Sequence, residues 1–204
     1  FIGEGTPKMD GPRRPLLPRG FDFDFVNGDV IMNRMTVAGG RMCIPDGPSY
    51  RVMVLPGVDT MRPEIAARLL AFVDAGAVIC GPRPSRSPSM ENYPRCDQDL
   101  ARYVEGLWGA GRIMPADDLI PVLDRAGLTP DFSYRLADAE VENQESLDID
   151  LGYASHAPRN ALRFAHRRDG DVEIYFVANM RTAEAIDVQC EFRVGHKQPE
   201  IWDP

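Results

Sequence analysis

The stretch from Tyr50 to Cys80 constrains the fold more than any other part of the chain. Tyr50-Arg51-Val52-Met53-Val54-Leu55 is apolar and β-branched and stops at Pro56-Gly57, as a buried strand does. Pro63 suits the first turn of a helix. Ile65, Leu69, Phe72 and Val73 then recur at helical spacing, with Ala66 and Leu70 widening the stripe. Gly76 stands where such a helix ends. Ala77-Val78-Ile79-Cys80 is a second buried strand, stopped by Gly81-Pro82. Strand, helix and strand in so short a span make a βαβ unit, with a right-handed crossover and parallel strands.

The alternation extends on both sides. Phe1-Ile2 reads as the tail of a first strand that lacks its beginning, and residues 6–20 as a Pro-, Gly- and Arg-rich loop. Val30 to Met35 has helical character behind the cap region Asn27-Gly28-Asp29. Arg41 to Ile44 is a short strand closed by the turn Pro45-Asp46-Gly47-Pro48. Downstream, Asp97 to Trp108 predicts a helix with Leu100, Tyr103, Val104, Leu107 and Trp108 on one face, ended by Gly109 and Gly111. Arg112-Ile113-Met114 is a short strand. Asp117 to Ala126 predicts another helix, with Pro121 tolerable in its first turn. Residues 1–132 are therefore expected to form an α/β domain, an open and mostly parallel sheet flanked by helices, of the flavodoxin or Rossmann kind.

The remainder follows a different period. Residues 133–160 lose the helical spacing and carry Asp138, Glu140, Glu142, Glu145, Asp148 and Asp150, which reads as an acidic connector with room for one edge strand. In residues 161–204, Leu162 and Phe164 alternate with polar neighbours, and Asp169-Gly170 separates them from Val172-Glu173-Ile174-Tyr175-Phe176-Val177. A D-G pair between two such runs signals a hairpin. Ile186, Val188, Cys190, Phe192 and Val194 alternate strictly with Asp187, Gln189, Glu191 and Arg193. Three antiparallel strands of this kind predict the start of a β-sandwich that is incomplete at residue 204.

Composition removes several function classes. A chain of 204 residues can bury roughly 70% of its unfolded surface without disulfide or metal staples. Acidic residues outnumber basic ones, 31 to 23, for a formal charge of -8, so no nucleic-acid partner is expected, since that role needs a basic footprint. No apolar run approaches the ~18 residues of a membrane span. Cys43, Cys80, Cys96 and Cys190 form no C-x-x-C pair, and three of them sit in strand-like runs as small buried hydrophobes. His156, His166 and His196 are too far apart for an H-E-x-x-H zinc site. No G-x-S-x-G elbow or phosphate-binding P-loop occurs, and Gly3-Glu4-Gly5 lacks the third glycine of a dinucleotide fingerprint. The chain opens at Phe1 without an initiator Met or a signal segment, and reads as a piece of a longer protein.

The candidate sites are few. Asp22, Asp24, Asn27 and Asp29 form an oxygen-rich cluster of the type that calcium takes, without the EF-hand order; Phe21, Phe23 and Phe25 between them equally describe a strand edge. The loop Gly81-Pro82-Arg83-Pro84-Ser85-Arg86-Ser87-Pro88-Ser89 follows a parallel strand at its carboxyl end, where open α/β sheets bind ligands. Arg83 and Arg86 there could hold an anion or carboxylate, or the stiff loop could brace a neighbouring domain. Glu4, Glu64, Glu91 and Asp97 are conceivable acid/base groups, but spacing alone pairs none of them as glycoside hydrolysis requires. Trp108 and Trp202 could stack on sugar faces, although Trp108 also fits an apolar helix stripe. Cys80 after a strand suggests a nucleophile elbow, which Pro82 and Pro84 argue against.

Read together, Gly20-Phe21-Asp22-Phe23-Asp24-Phe25-Val26-Asn27, Ser49-Tyr50-Arg51-Val52-Met53-Val54-Leu55-Pro56, Ala75-Gly76-Ala77-Val78-Ile79-Cys80-Gly81-Pro82-Arg83-Pro84, Ser87-Pro88-Ser89 with Tyr93-Pro94-Arg95-Cys96-Asp97, His166-Arg167-Arg168-Asp169-Gly170-Asp171 with Tyr175-Phe176-Val177-Ala178-Asn179, and Pro199-Glu200-Ile201-Trp202-Asp203-Pro204 resemble glycoside hydrolase family 106, the α-L-rhamnosidase family. The α/β half also resembles the glutamine-amidotransferase-like domain that follows the barrel in large β-galactosidases. The resemblance implies a secreted or periplasmic glycosidase whose catalytic carboxylates lie in a preceding (β/α) barrel, for which eight βα units need ~200 or more residues of their own. It therefore implies a non-catalytic downstream portion, with that barrel and carbohydrate as partners and no catalytic residue here. It implies no cofactor in this segment and leaves calcium to the parent enzyme. The other readings are a stand-alone carbohydrate-binding or interaction module, and an accessory domain of a β-galactosidase-like enzyme.

Overall fold

The computed structural model describes residues 18–45, 47–116, 118–136, 161–180 and 185–202. The expectations for residues 1–17, Asp117 and most of the acidic connector lie outside these. The chain divides into two compact units.

The first unit is centred on Asp24–Leu128. Helix α1 spans Gly28–Asn33, and Asn27 caps it by accepting a hydrogen bond from the Val30 N–H at 3.0 Å. Strands β1 (Thr36–Ala38), β2 (Arg41–Cys43) and β3 (Ser49–Tyr50) form a small antiparallel sheet, with Val37 opposite Met42 and Met42 opposite Tyr50. The predicted strand Tyr50–Leu55 is thus split. Arg51 interrupts it and sends its guanidinium to the Ala126 carbonyl, 2.9 Å away. Beyond the break, β4 (Val52–Val54) pairs in parallel with β5 (Val78–Cys80), Met53 opposite Ile79.

Helix α2 (Pro63–Asp74) connects them, with Pro63 in its first turn and Ile65, Ala66, Leu69 and Phe72 buried. These side chains join Ile31, Met35, Met42, Met53, Leu55, Ile79, Leu100, Val104 and Leu107 in one core. Arg68 ties α2 to α1, donating to the carbonyls of Ile31 (3.3 Å) and Met35 (2.8 Å) and so satisfying groups that a helix end leaves bare.

The predicted helix Asp97–Trp108 is two pieces, α3 (Arg95–Val104) and a π-helical turn, Glu105–Gly109. A tertiary bond accompanies the wider turn: the Trp108 indole N–H donates to the Gly81 carbonyl at 3.0 Å. Helix α4 (Ile120–Arg125) buries Val122 and Leu123 and keeps Pro121 in its first turn. The predicted strand Arg112–Met114 contributes only a single parallel bridge, Met114 to Cys80. Parallel pairing among the described residues is confined to β4, β5 and this bridge and another between Thr60 and Arg86. They form a mixed helix–strand unit with a small antiparallel sheet, and the parallel sheet among the described residues is two strands wide. The strands run two or three residues before Pro, Gly or a turn stops them.

The second unit holds β6 (Phe132–Leu136), β7 (Leu162–Asp169), β8 (Val172–Asn179) and β9 (Val188–Phe192). The hairpin β7–β8 forms as expected, but its two-residue loop is Gly170-Asp171, one position later than the D-G pair, with Gly170 at φ +55°. Strand β9 alternates half-buried and exposed residues as predicted. Its partner is β6, from the start of the predicted connector, so the described strands form two pairs and no three-stranded meander. Phe132 is buried, its ring 5.0 Å from Phe164 and 5.3 Å from Phe192. No helix among the described residues is long and apolar enough to cross a membrane.

Leu69 is fully buried at the centre of the first core. Replacing it with Ala removes apolar contact and leaves a cavity, so Leu69→Ala should destabilise by about 2–5 kcal/mol. Urea unfolding checks this, and a loss well under 1 kcal/mol would mean that the core is not packed as described.

Candidate functional site

The residues of the expected oxygen-rich cluster each have their own protein partner. Asp22 lies in the second unit, where Oδ1 accepts from the Phe23 N–H at 2.9 Å and Oδ2 from Arg167 at 3.2 Å. Asp24 lies in the first and accepts from the Tyr50 hydroxyl at 2.9 Å. Asn27 is the cap of α1, and Asp29 accepts from Asn33 at 2.7 Å. Each oxygen group has a different protein partner, and no group of three or more His, Cys, Asp or Glu that could hold a metal ion occurs among the described residues.

The loop after β5 is braced on both sides. Arg83 meets Glu105 of the π-helical turn at 3.1 Å, and Arg86 lies 3.8 Å from Asp59. The Ser85 N–H donates to the Asp59 carbonyl (2.7 Å) and the Met61 N–H to the Arg86 carbonyl (3.1 Å). Asp97 accepts from the Ser87 N–H at 2.7 Å, which makes it a loop anchor in this structure. Both arginine pairs are well exposed, so each contributes little to stability, about 0–1 kcal/mol. Glu64 sits in the first turn of α2, where the helix dipole favours it. Trp108 packs against the first core, whereas Trp202 is exposed and donates to Glu200. The Cys80 thiol is buried, and desolvation pushes its pKa up to about 12. Burial therefore disfavours the thiolate, which is the reactive form. The four cysteines are free thiols.

The densest polar cluster lies in the second unit and was not among the expected residues. Asp131 enters β6 through a close approach: its N–H donates to the Gly20 carbonyl at 2.6 Å. Gly20 has φ +84°, and a Cβ there would lie 2.5 Å from the Phe132 carbonyl oxygen, so residue 20 must be glycine. Asp131 Oδ2 is 2.6 Å from His166 Nδ1, and Glu173 Oε2 is 2.8 Å from His166 Nε2. A neutral imidazole has one N–H and satisfies one of these contacts; the imidazolium satisfies both. The Tyr175 hydroxyl and the Arg193 guanidinium each donate to Asp131 Oδ1 at 2.9 Å. Arg168 (3.5 Å) and Lys197 (3.7 Å) approach Glu173 Oε1. The His166 and Tyr175 rings stack 4.0 Å apart.

Two nearly buried carboxylates are thus held by three cationic side chains, the His166 ring and a phenol. The His166 hydrogen bond, aided by Lys197 and Arg168, holds the Glu173 carboxyl below the usual range against the opposing pull of burial. Burial, and then the bond to Asp131 and its negative charge, push the Tyr175 phenol well above its usual value. The His166 imidazole bridges Asp131 and Glu173. These contacts link the β6–β9 pair to the β7–β8 pair. Asp131 and Arg193 stand at the ends of β6 and β9, and His166, Glu173 and Tyr175 on β7 and β8.

A signal for this cluster was present in the sequence. In β8, Glu173 and Tyr175 face inward while Val172, Ile174 and Phe176 are exposed. The hairpin register puts His166 opposite Tyr175. Asp131 and Arg193 carried no such mark, since their pairing depends on β6 meeting β9.

A lowered carboxyl pKa gives stability that is complete above the unfolded value and is lost as pH falls through the folded one. The contribution of Glu173 should therefore fade below about pH 4.3. Thermal unfolding of the native chain and of Glu173→Gln should differ clearly at pH 6 and converge as pH falls toward 3. A difference that is constant or grows in acid would contradict the assignment.

Comparison with known proteins fits this strand-and-helix arrangement. Residues 1–204 match the family model Glyco_hydro_106, alpha-L-rhamnosidase. A protein of Formosa agariphila named "Putative beta-glucuronidase" is 31% identical over 202 residues, which is 99% of this chain and 15% of that protein. The structure of a rhamnosidase from Novosphingobium sp. PP1Y superposes with a TM-score of 0.70 at 25% identity, covering 89% of this chain and 16% of that one. The chain thus spans about one sixth of the length of these relatives. Because the family model covers every residue from 1 to 204, the chain belongs to glycoside hydrolase family 106, the alpha-L-rhamnosidase family.

Proposed function

We propose that this chain is a non-catalytic portion of a secreted or periplasmic glycosidase resembling α-L-rhamnosidases, downstream of its catalytic barrel. The parent would remove terminal rhamnose from polysaccharides or glycosides. The observation that carries the reading is the state of Asp131 and Glu173. A glycosidase needs one carboxyl group free to protonate the leaving oxygen and another open to water or the sugar. Here His166 contacts both carboxylates, Arg193 and Tyr175 donate to the other oxygen of Asp131, and Arg168 and Lys197 lie 3.5 and 3.7 Å from the other oxygen of Glu173. The small share of each relative that the chain spans supports the same view.

In this reading the β4–α2–β5 unit is the centre of a flavodoxin- or amidotransferase-like domain that buttresses the barrel. Arg83 and Arg86, in the loop after β5, would meet a sugar or the neighbouring domain in exchange for Glu105 and Asp59. Asp22, Asp24 and Asn27 already accept from Arg167, Tyr50 and the Val30 N–H, and the carboxylates keep further lone pairs with which a ligand could be met. No cofactor is assigned to this segment, and calcium is left to the parent. A second reading changes only the sugar. The name of the Formosa relative, together with two arginines suited to a carboxylate, favours a parent acting on a uronic acid.

Activity of the parent polypeptide on aryl α-L-rhamnosides and aryl β-D-glucuronides separates the two sugars. In either case Asp131→Asn and Glu173→Gln should change kcat of the folded enzyme by less than about tenfold, whereas loss of a general acid or base costs about 10²–10⁴-fold. A loss of that larger size with unchanged thermal stability would refute the non-catalytic reading.

A further inference from the structure

The contacts of His166 ask for one proton more than a neutral imidazole carries. Nδ1 lies 2.6 Å from Asp131 Oδ2, and Nε2 lies 2.8 Å from Glu173 Oε2. Both are hydrogen-bond distances, and an ionised carboxylate only accepts. A neutral ring donates from one nitrogen and sets the lone pair of the other against a carboxylate oxygen. Two other places for the missing proton would avoid that repulsion, and the neighbours oppose both. A proton on Glu173 is disfavoured by the positive charge of Arg168 and Lys197, 3.5 and 3.7 Å from its other oxygen. A proton on Asp131 is disfavoured by the Arg193 guanidinium, 2.9 Å from Oδ1. The Tyr175 hydroxyl has no proton to spare, since it already donates to Asp131 Oδ1, and its ring stacks on the imidazole.

The charges around the ring pull in both directions. Arg168 and Arg167 of β7, Arg193 at the end of β9 and Lys197 beyond it oppose a further positive charge, whereas Asp131 beside β6 and Glu173 of β8 favour it. Distance and water decide between them. The two carboxylates contact the ring directly, and their side chains are only 12% and 16% exposed. Arg193, Arg168 and Lys197 reach the far oxygens of those carboxylates, Arg167 is paired with Asp22, and the three arginines are more than half exposed. Exposed charges are screened by water and salt far more than nearly buried ones in contact.

We infer that His166 is a proton-operated latch: with a proton on each ring nitrogen it joins Asp131 of the β6–β9 pair to Glu173 of the β7–β8 pair, and loss of one of these protons as pH rises loosens the second unit. The unfolded chain releases its imidazole proton near the ordinary histidine value of about 6.5, and the folded chain keeps it beyond that pH. The contribution of the latch is therefore complete below that value. Above it the folded state holds one proton more than the unfolded one, so stability falls as pH rises until the folded ring also gives up its proton. This alkaline loss is separate from the loss of the Glu173 contribution in acid.

Deuterium exchange at the carbon between the two ring nitrogens tests the latch in the unaltered parent polypeptide. Its rate levels off once the ring is neutral, so the midpoint of the pH profile marks the loss of the proton, and mass spectrometry reads it peptide by peptide. His166 should reach its midpoint at a higher pH than the exposed His196. Amide exchange of the same samples, corrected for the intrinsic rate, should show the β6–β9 and β7–β8 strands losing protection by up to about tenfold per pH unit between the two midpoints, while α2 keeps its own. A His166 midpoint at or below that of His196, or strands whose protection follows that of α2 through this range, would overturn the proposal. Neither readout uses turnover, so the latch is decided separately from the non-catalytic reading.

Discussion

The imidazole of His166, held between Asp131 and Glu173, is the interaction on which the second unit depends. Removing two carboxylates from water is costly, and attraction offsets that cost only when every remaining oxygen also finds a donor. Arg193 and Tyr175 donate to Asp131, and Arg168 and Lys197 set positive charge beside Glu173. The β6–β9 and β7–β8 pairs have two strands each, a size that is marginal alone. Asp131 and Arg193 at the ends of one pair meet His166, Glu173 and Tyr175 of the other, and Phe132, Phe164 and Phe192 close the apolar side. The network also explains the reversed polarity of β8. Its inward positions belong to Glu173 and Tyr175, so its apolar residues face out.

The first unit rests on different physics. Its core is a continuous apolar cluster around α2, and its polar contacts are caps and braces at the surface. Arg68 closes the end of α1, Arg51 that of α4, and Arg83 and Arg86 pin the loop after β5. This unit is thus held by core packing, with its charged loop braced against Glu105 and Asp59.

What the sequence disclosed depended on how local each signal was. The helix from Pro63 and the strand ending at Cys80 were legible because periodicity, an N-terminal proline and a terminal glycine agreed. The strand Tyr50–Leu55 was legible as extended chain, but not its break, because Arg51 leaves the pattern to reach Ala126, far away in sequence. Helix 97–108 changes to a π-helical turn where Trp108 bonds Gly81, a tertiary contact without a local mark. The hairpin was visible in Asp169-Gly170, and β9 in its strict alternation, but the pairing of β9 with β6 depends on Gly20, Asp131 and Arg193 meeting. The candidate site was illegible for the same reason. Pattern reading assigns inward strand positions to apolar residues, and here a charged pair takes them. Asp22, Asp24 and Asn27 looked like a cluster in sequence, whereas the structure gives each a separate partner.

The central claim is that this charged cluster holds structure together and performs no chemistry. His166→Leu in the parent polypeptide tests it most directly, because it removes the ring that contacts both carboxylates. Hydrogen exchange of the β6–β9 and β7–β8 strands, read beside turnover per folded molecule, should show the strands losing about 3–5 kcal/mol of protection while turnover is kept. Strands protected as before, with turnover abolished, would contradict the account.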